Sequence, residues 1–277
     1  MTSGQAVSAG TGLLRRAGLA EPRREATALV RGLTGIDPRL TPDRPMSRSD
    51  WLACGRGFRR RQEREPFGYI TGTREFWGLS LAMRPGVFIP RPETELLVER
   101  ALNRLRPGDR AADLCTGSGA VAVAVAAAGV AVDALDNAVA ACALAEENAS
   151  RHHLEHLVRV WQGDLGGGLP EHWRGSYDVW TCNPPYVDVA ELAMLPRDVR
   201  DWEPLSALVA PEGWRVLYQR LAVQASDWLR PGGTLLCEVG AGQASQVGAI
   251  CEAAGLAPVG IHADLAGIAR VIEVTRK

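Results

Sequence analysis

From Pro92 to the C-terminus, runs patterned like buried strands alternate with runs patterned like helices, and this alternation limits the fold more than any other feature of the chain. "PETELLVERALNRL" carries Val98, Ala101, Leu102 and Leu105 on one helical face, with Pro92 in the first turn where its missing N–H costs nothing. The strand-like runs are "RAADLC", "VAVDALD", "LVRVWQGD", "YDVWTC", "GTLLCEVG" and a final pair, "APVGIHA" and "ARVIEVT". Parallel strands need crossover connections, and helices of this length between them supply those crossovers. The pattern therefore predicts an α/β fold, an open and largely parallel sheet covered by helices on both faces.

The N-terminal part reads differently. "EPRREATALVRGLTG" repeats Ala26, Leu29, Val30 and Leu33 at helical spacing, and "SRSDWLACGRGFRRRQERE" places Trp51, Cys54 and Phe58 on a shared face, with Arg59 to Arg61 read as a solvated surface. Between Arg74 and Pro90 the period drops to two, with Trp77, Leu79, Leu81 and Met83 alternating, as in a β-hairpin with Trp77 in its core. The expected organisation is a helical N-terminal domain over residues 1–73, a hairpin linker over 74–90 and the sheet domain over 91–277.

Bulk properties exclude several classes. The 31 lysines and arginines balance 32 acids for a net charge of −1, so nothing draws the whole chain to nucleic acid or an anionic membrane. "AVAVAVAAAGVAV" is broken by Gly129 and too short to span a bilayer, and the first residues lack a secretory pattern, so a cytoplasmic protein with no membrane partner is expected. The six cysteines form no C-x-x-C pair and suit small buried hydrophobes in a reducing compartment. "HHLEH" is read as a solvated helix end, and no metal is expected.

Candidate site residues gather at the ends of the predicted strands. In "DLCTGSGA" the chain passes from a strand through Cys115, Thr116, Gly117, Ser118 and Gly119 into a helix, where glycines admit close approach and the helix start offers free N–H groups. The spacing also fits a dinucleotide fingerprint, so alone it does not separate NAD from other nucleoside cofactors. The next strand ends in Asp136, preferred over Asp133 as acceptor for ribose hydroxyls because it lies at the strand terminus. Asp164 and Leu165 end the third strand, where an acid could take the exocyclic amine of adenine and the leucine could cover its ring, or where "DLGGG" could simply turn. The fourth strand ends in Asn183, Pro184, Pro185 and Tyr186. Two prolines make this backbone stiff and extended, and amide and carbonyl acceptors beside an aromatic suit a planar NH₂ substrate better than hydride transfer.

"NPPY" after "DLCTGSGA" resembles the amino-methylating branch of S-adenosylmethionine-dependent methyltransferases. "EPFGYITGTREFWG", "FIPRPETELLVE", "EPLSALVAPEGW" and "LLCEVGAGQ", in that order, are similar to the PrmC/HemK family of protein-(glutamine-N5) methyltransferases. The resemblance implies a seven-stranded Rossmann-like class I methyltransferase domain with an antiparallel last strand, a small helical N-terminal domain and a hairpin linker. It implies S-adenosyl-L-methionine as cofactor and, as partner, a class I peptide-chain release factor methylated on the glutamine of its Gly-Gly-Gln motif. By motif match, Cys115 to Gly119, Asp136, Leu165 and Asn183 would line the cofactor, and Asn183 to Tyr186 would hold the glutamine. Phe88 would wall the pocket, with Arg91 and Glu93 bracing their segment. Cys115 stands where the family commonly has glycine. The alternatives are a paralogue acting on another protein amide or a small metabolite, or on a nucleic-acid base, against which the balanced charge argues.

Overall fold

The N-terminal residues form helices because each start and stop is chemically marked. In a computed structural model that describes residues 1–277, α1 (Ser3–Arg16) opens on a capping box between Thr2 and Gln5, and α2 (Pro22–Thr34) begins with Pro22 and ends at Gly35 in the left-handed conformation. α3 (Arg48–Gln62) is capped by Ser47, and α4 (Phe67–Thr71) is a short turn ended by Gly72. Their apolar faces close on Leu14, Leu29, Val30, Cys54 and Phe58. A Cβ on Gly10 would sit 2.4 Å from the Phe58 ring, so α1 reaches α3 only through glycine.

A hairpin follows, β1 (Thr73–Phe76) and β2 (Leu79–Ala82), joined by Trp77 and Gly78, both at positive φ. That two-residue geometry matches the twist of the flanking strands. It also puts Trp77 at the turn, 37% exposed, its N–H donating to Glu95, so Phe76 rather than Trp77 fills the hairpin core.

The remaining elements build the sheet unit: α5 (Glu95–Arg104), β3 (Arg110–Leu114), α6 (Ala120–Ala126), β4 (Ala131–Asp136), α7 (Val139–Arg151), β5 (Val158–Gln162) and β6 (Tyr177–Cys182). After β6 the chain passes through α8 (Arg197–Arg200), then α9 (Trp214–Trp228), β7 (Leu229–Glu238), α10 (Ala244–Ala253), β8 (Leu256–Ala263) and β9 (Ala269–Arg276). The seven strands run in the order β5-β4-β3-β6-β7-β9-β8, with β9 antiparallel to both neighbours and the β3, β4, β5, β6 and β7 pairings parallel. α6 is apolar on all sides and wholly buried, as a helix sandwiched in an α/β core must be. One face of the sheet buries Tyr177, Trp180, Tyr218, Leu221 and Trp228.

The chain divides into two compact units, Met1–Thr73 with Pro196–Trp202, and Arg74–Leu195 with Glu203–Lys277. Within the first, Arg61 is buried rather than solvated: its guanidinium pairs with Glu25 and Asp198, and Trp202 donates its indole N–H to the Glu63 carbonyl at 3.2 Å. The sequence reading of Arg59 to Arg61 as one wet surface therefore fails at Arg61, because a carboxylate remote in sequence removes it from water.

Candidate active site

Strand order locates the site before any side chain is considered. The chain runs outward from β3 to β5, then returns to place β6 on the other side of β3, so the C-terminal ends of β3 and β6 border the crevice where open α/β sheets bind ligands. "CTGSG" leaves one of these ends and Asn183-Pro184-Pro185-Tyr186 leaves the other.

The turn after β3 depends on left-handed backbone at Cys115 (φ 55°), Gly117 (φ 55°) and Gly119 (φ 77°). Glycine takes this conformation freely, whereas a Cβ at Cys115 costs about 1 kcal/mol. The two glycines act differently. A Cβ at Gly119 would lie 3.0 Å from the Cα and Cβ of Ala145, so this glycine lets α6 pack on α7, while the space beside Gly117 is open. Beneath the turn lies Asp113, which the sequence reading did not single out. Its carboxylate accepts the hydroxyls of Thr116 (2.6 Å) and Thr181 (2.7 Å), and so joins the glycine turn to β6. Burial pushes its pKa up to about 6 against the pull of those two hydroxyls. The only hint in sequence is an acid inside an otherwise apolar strand.

Asp136 ends β4 and accepts the N–H groups of Gly117 (2.9 Å) and Ala138 (3.0 Å), one on each oxygen. Burial raises its pKa, opposed by those backbone N–H groups and that of Asn137. Asp133 is fully engaged elsewhere, receiving Arg110, the Trp161 indole and the Tyr177 hydroxyl, each at 2.9 Å. Asp164 follows β5, is exposed and is ion-paired to Arg220; the Leu165 side chain turns into the core at φ 53°. Ser118 is buried, and its carbonyl accepts from Asn148 at 2.8 Å.

At the tip of β6, the Asn183 amide nitrogen donates to the Thr94 hydroxyl at 3.2 Å. Neither the Asn183 side-chain oxygen nor the Pro184 carbonyl receives a hydrogen bond from the protein. Tyr186 is held at both ends, its carbonyl by the Gln243 amide (2.9 Å) and its hydroxyl by Glu238 (3.0 Å). Burial and the Glu238 charge hold its phenol far above the ordinary tyrosine range, so the ring is neutral. Glu238 is itself raised, by burial first, against the Thr94 and Tyr186 hydroxyls and Arg270, with Glu93 reinforcing the rise.

The segment "FIPRPE" is fixed by Glu203, whose buried carboxylate pairs with Arg91 at 2.5 Å and receives the Ile89 N–H at 3.4 Å; Arg91 lies over the Phe88 ring at 4.7 Å. Glu93, expected to brace this segment, is exposed and its side chain makes no hydrogen bond; its place in a 3-10 turn points it to solvent, and Glu203 does the bracing. No group of three or more His, Cys, Asp or Glu side chains is arranged to hold a metal, and His152 contacts the Ser80 carbonyl at 3.1 Å. No helix is long and apolar enough to cross a membrane.

Residues 79–195 match the methyltransferase small domain family, and residues 5–72 match the PrmC N-terminal domain family. The fold agrees: a methyltransferase from Pyrococcus furiosus superposes with a TM-score of 0.54 at 18% identity, over 72% of this chain and 89% of that one. The sheet unit is thus a Rossmann-like methyltransferase domain. Over 249 residues the chain is 39% identical to the release factor glutamine methyltransferase of Nitratidesulfovibrio vulgaris, covering 88% of this chain and 84% of the relative. It is 37% identical to the enzyme of the same name from Cereibacter sphaeroides, over 98% of both. The chain belongs to the release factor glutamine methyltransferase family.

Proposed function

We propose that the protein transfers a methyl group from S-adenosyl-L-methionine to the side-chain amide nitrogen of the glutamine in the Gly-Gly-Gln motif of a class I peptide-chain release factor. One observation carries the reading: two oxygens on a stiff Asn-Pro-Pro tip, the Asn183 side-chain oxygen and the Pro184 carbonyl, are free of protein donors at the edge of the crevice that the glycine turn also borders. The names of its relatives point to the same substrate.

The residues present fit the cofactor. The Asp136 oxygens accept the Gly117 and Ala138 N–H groups and keep lone pairs for the two ribose hydroxyls, and the open space beside Gly117 lets a ligand approach the turn. Cys115 to Gly119 would follow the cofactor backbone, and Asp164 with the Leu165 segment would border the base. When bound, the cofactor supplies a methyl group activated on a sulfonium.

A carboxamide nitrogen is a poor nucleophile because its lone pair is shared with the carbonyl. Asn183 and Pro184 would each accept one of its N–H bonds and turn the lone pair toward the methyl, while Pro184 and Pro185 hold those acceptors in place. Tyr186 would stack on the amide plane as a neutral ring, and Phe88, set by Arg91, would wall the pocket. Orientation of this kind supplies about 7–11 kcal/mol in well-aligned systems, without a metal. The helical domain over 1–73 would engage the release factor outside its glutamine, and that substrate places the reaction in the cytoplasm.

The test is incubation with labelled S-adenosylmethionine and a purified class I release factor, followed by peptide mass mapping. A single methyl on the Gly-Gly-Gln glutamine is expected. A labelled site elsewhere, or none while the cofactor binds, would reject the reading.

A further inference from the structure

The buried face of α7 is made of Ala141, Leu144, Ala145, Asn148 and Ala149, small or apolar side chains with one exception. Asn148 is wholly buried among them, and packing alone gives no reason for an amide there. A buried amide is kept where its hydrogen bonds are filled. Those of Asn148 are filled from two directions: Oδ1 accepts the Ala82 N–H at 2.6 Å, while Nδ2 donates to the Ala82 carbonyl at 3.1 Å and to the Ser118 carbonyl at 2.8 Å. Both amide hydrogens are spent, one on the hairpin and one on the glycine turn.

The two ends of this bridge differ. At the hairpin, β2 has further ties to α7: Arg84 pairs with Glu147 at 2.6 Å, and the Ser80 carbonyl meets Arg151 at 3.0 Å and His152 at 3.1 Å. At the turn, the Ser118 carbonyl and the Gly119 N–H belong to one peptide plane. The N–H donates to the Thr116 carbonyl at 2.9 Å, and the carbonyl is the end that Asn148 takes. Gly119 also lies against Ala145, which precedes Asn148 on the same face of α7. A peptide held at both edges, with its glycine against a helix, fixes how Thr116 to Gly119 close and therefore the backbone around Gly117, beside which space is open.

We propose that Asn148 is a positioning residue of the cofactor site: it fixes the Ser118–Gly119 peptide of the glycine turn and ties that turn to the hairpin at Ala82. The inference rests on the reading of this turn as the place where the cofactor binds. Loss of the amide loosens the turn and leaves the acceptor tip in place. A cofactor held on the turn steadies Asn148 and, through it, β2.

The experiment compares the full-length wild type with Asn148→Ala and Leu144→Ala, measuring S-adenosylhomocysteine affinity by calorimetry, kcat for release-factor methylation at saturating cofactor, and thermal midpoint. Asn148→Ala suits the helix but leaves the Ser118 carbonyl and both Ala82 groups without this partner. It should bind S-adenosylhomocysteine about ten- to a hundredfold more weakly, the size of a buried polar group left unpaired, with kcat within about threefold of wild type. Leu144→Ala, on the same buried face but with no bond to the turn, should lower the midpoint and leave affinity within about twofold. Wild-type affinity in Asn148→Ala, a kcat that falls as far as the affinity, or an equal loss of affinity in Leu144→Ala would overturn the assignment. If Asn148→Ala does not fold, hydrogen exchange of the wild type decides: the Ala82 amide should exchange more slowly with S-adenosylhomocysteine bound, and an unchanged rate overturns it equally. A wild type that does not bind S-adenosylhomocysteine defeats the cofactor reading and this inference together; a wild type that binds it, with Asn148→Ala unaffected, defeats the inference alone.

Discussion

The rim proposed to take the cofactor and the tip proposed to hold the amide lie at the ends of adjacent strands, yet they are built in different ways. At the rim, geometry comes largely from the backbone nearby: left-handed residues at 115, 117 and 119, Thr116 bonded to Asp113 three residues away, Ala138 bonded to Asp136 two residues away. At the tip, every support is remote. Asn183 leans on Thr94 across 89 residues, Tyr186 on Glu238 across 52 and on Gln243 across 57, while Arg91 reaches Glu203 across 112. The rim needs a particular backbone, which a short motif can encode. The tip needs aimed oxygens, and a short stiff motif must borrow its aim from the rest of the domain.

This division predicts that damage to the tip is read in turnover and damage to the rim in cofactor binding. Asn183→Ala should have the largest effect, a loss of about a hundred- to a thousandfold in kcat, comparable to deleting one preorganised polar group from an active site, with calorimetric cofactor affinity retained. Wild-type turnover in that variant would erase the distinction. Asp136→Ala should weaken cofactor binding by about ten- to a hundredfold while most of kcat returns at saturating cofactor. Unchanged affinity would remove Asp136 from the ribose site.

Smaller effects test the backbone itself. Cys115→Val places a β-branched residue at φ 55° and should lower folding stability by about 1–2 kcal/mol, whereas Cys115→Gly, which relieves strain but loosens the unfolded chain, should stay within about 1 kcal/mol of wild type in denaturant titrations. The last expected effect concerns pH. Asp113 titrates at about 6 in the folded protein, above the value of about 4 for an unfolded aspartate. The native state therefore binds the extra proton between those values, and the Asp113 contribution to stability falls as pH rises through that window and is level above it. Asp113→Asn should remove that slope from the melting midpoint, and an identical slope in both proteins would show that Asp113 is not its source.

Legibility in the sequence followed the same line. The alternation after Pro92 was enough for the sheet, and the strand ends at Cys115, Asp136 and Asn183 were found because local signals mark them: glycines, terminal acids and consecutive prolines. α1 was passed over because "SGQAVSAGTGLLRR" holds three glycines, poor helix formers whose packing reasons, Phe58 against Gly10 and Pro42 against Gly4, come from remote segments. Trp77 looked like hairpin core until the turn type placed it at the tip. Arg61 looked wet until Glu25 and Asp198 reached it, and the role of Glu203 appeared only with Arg91 beside it.

By itself, then, the amino-acid order determined the elements, the parallel sheet and the strand ends that carry chemistry, because periodicity, glycine and proline act over a few bonds. Only the tertiary structure decided which carboxylate stands under which hydroxyl: Asp113 beneath Thr116 and Thr181, Glu203 against Arg91, Glu238 behind Tyr186. Hydrogen bonds and buried charges depend on distances of a few ångströms between residues far apart in the chain, and no local pattern records those distances.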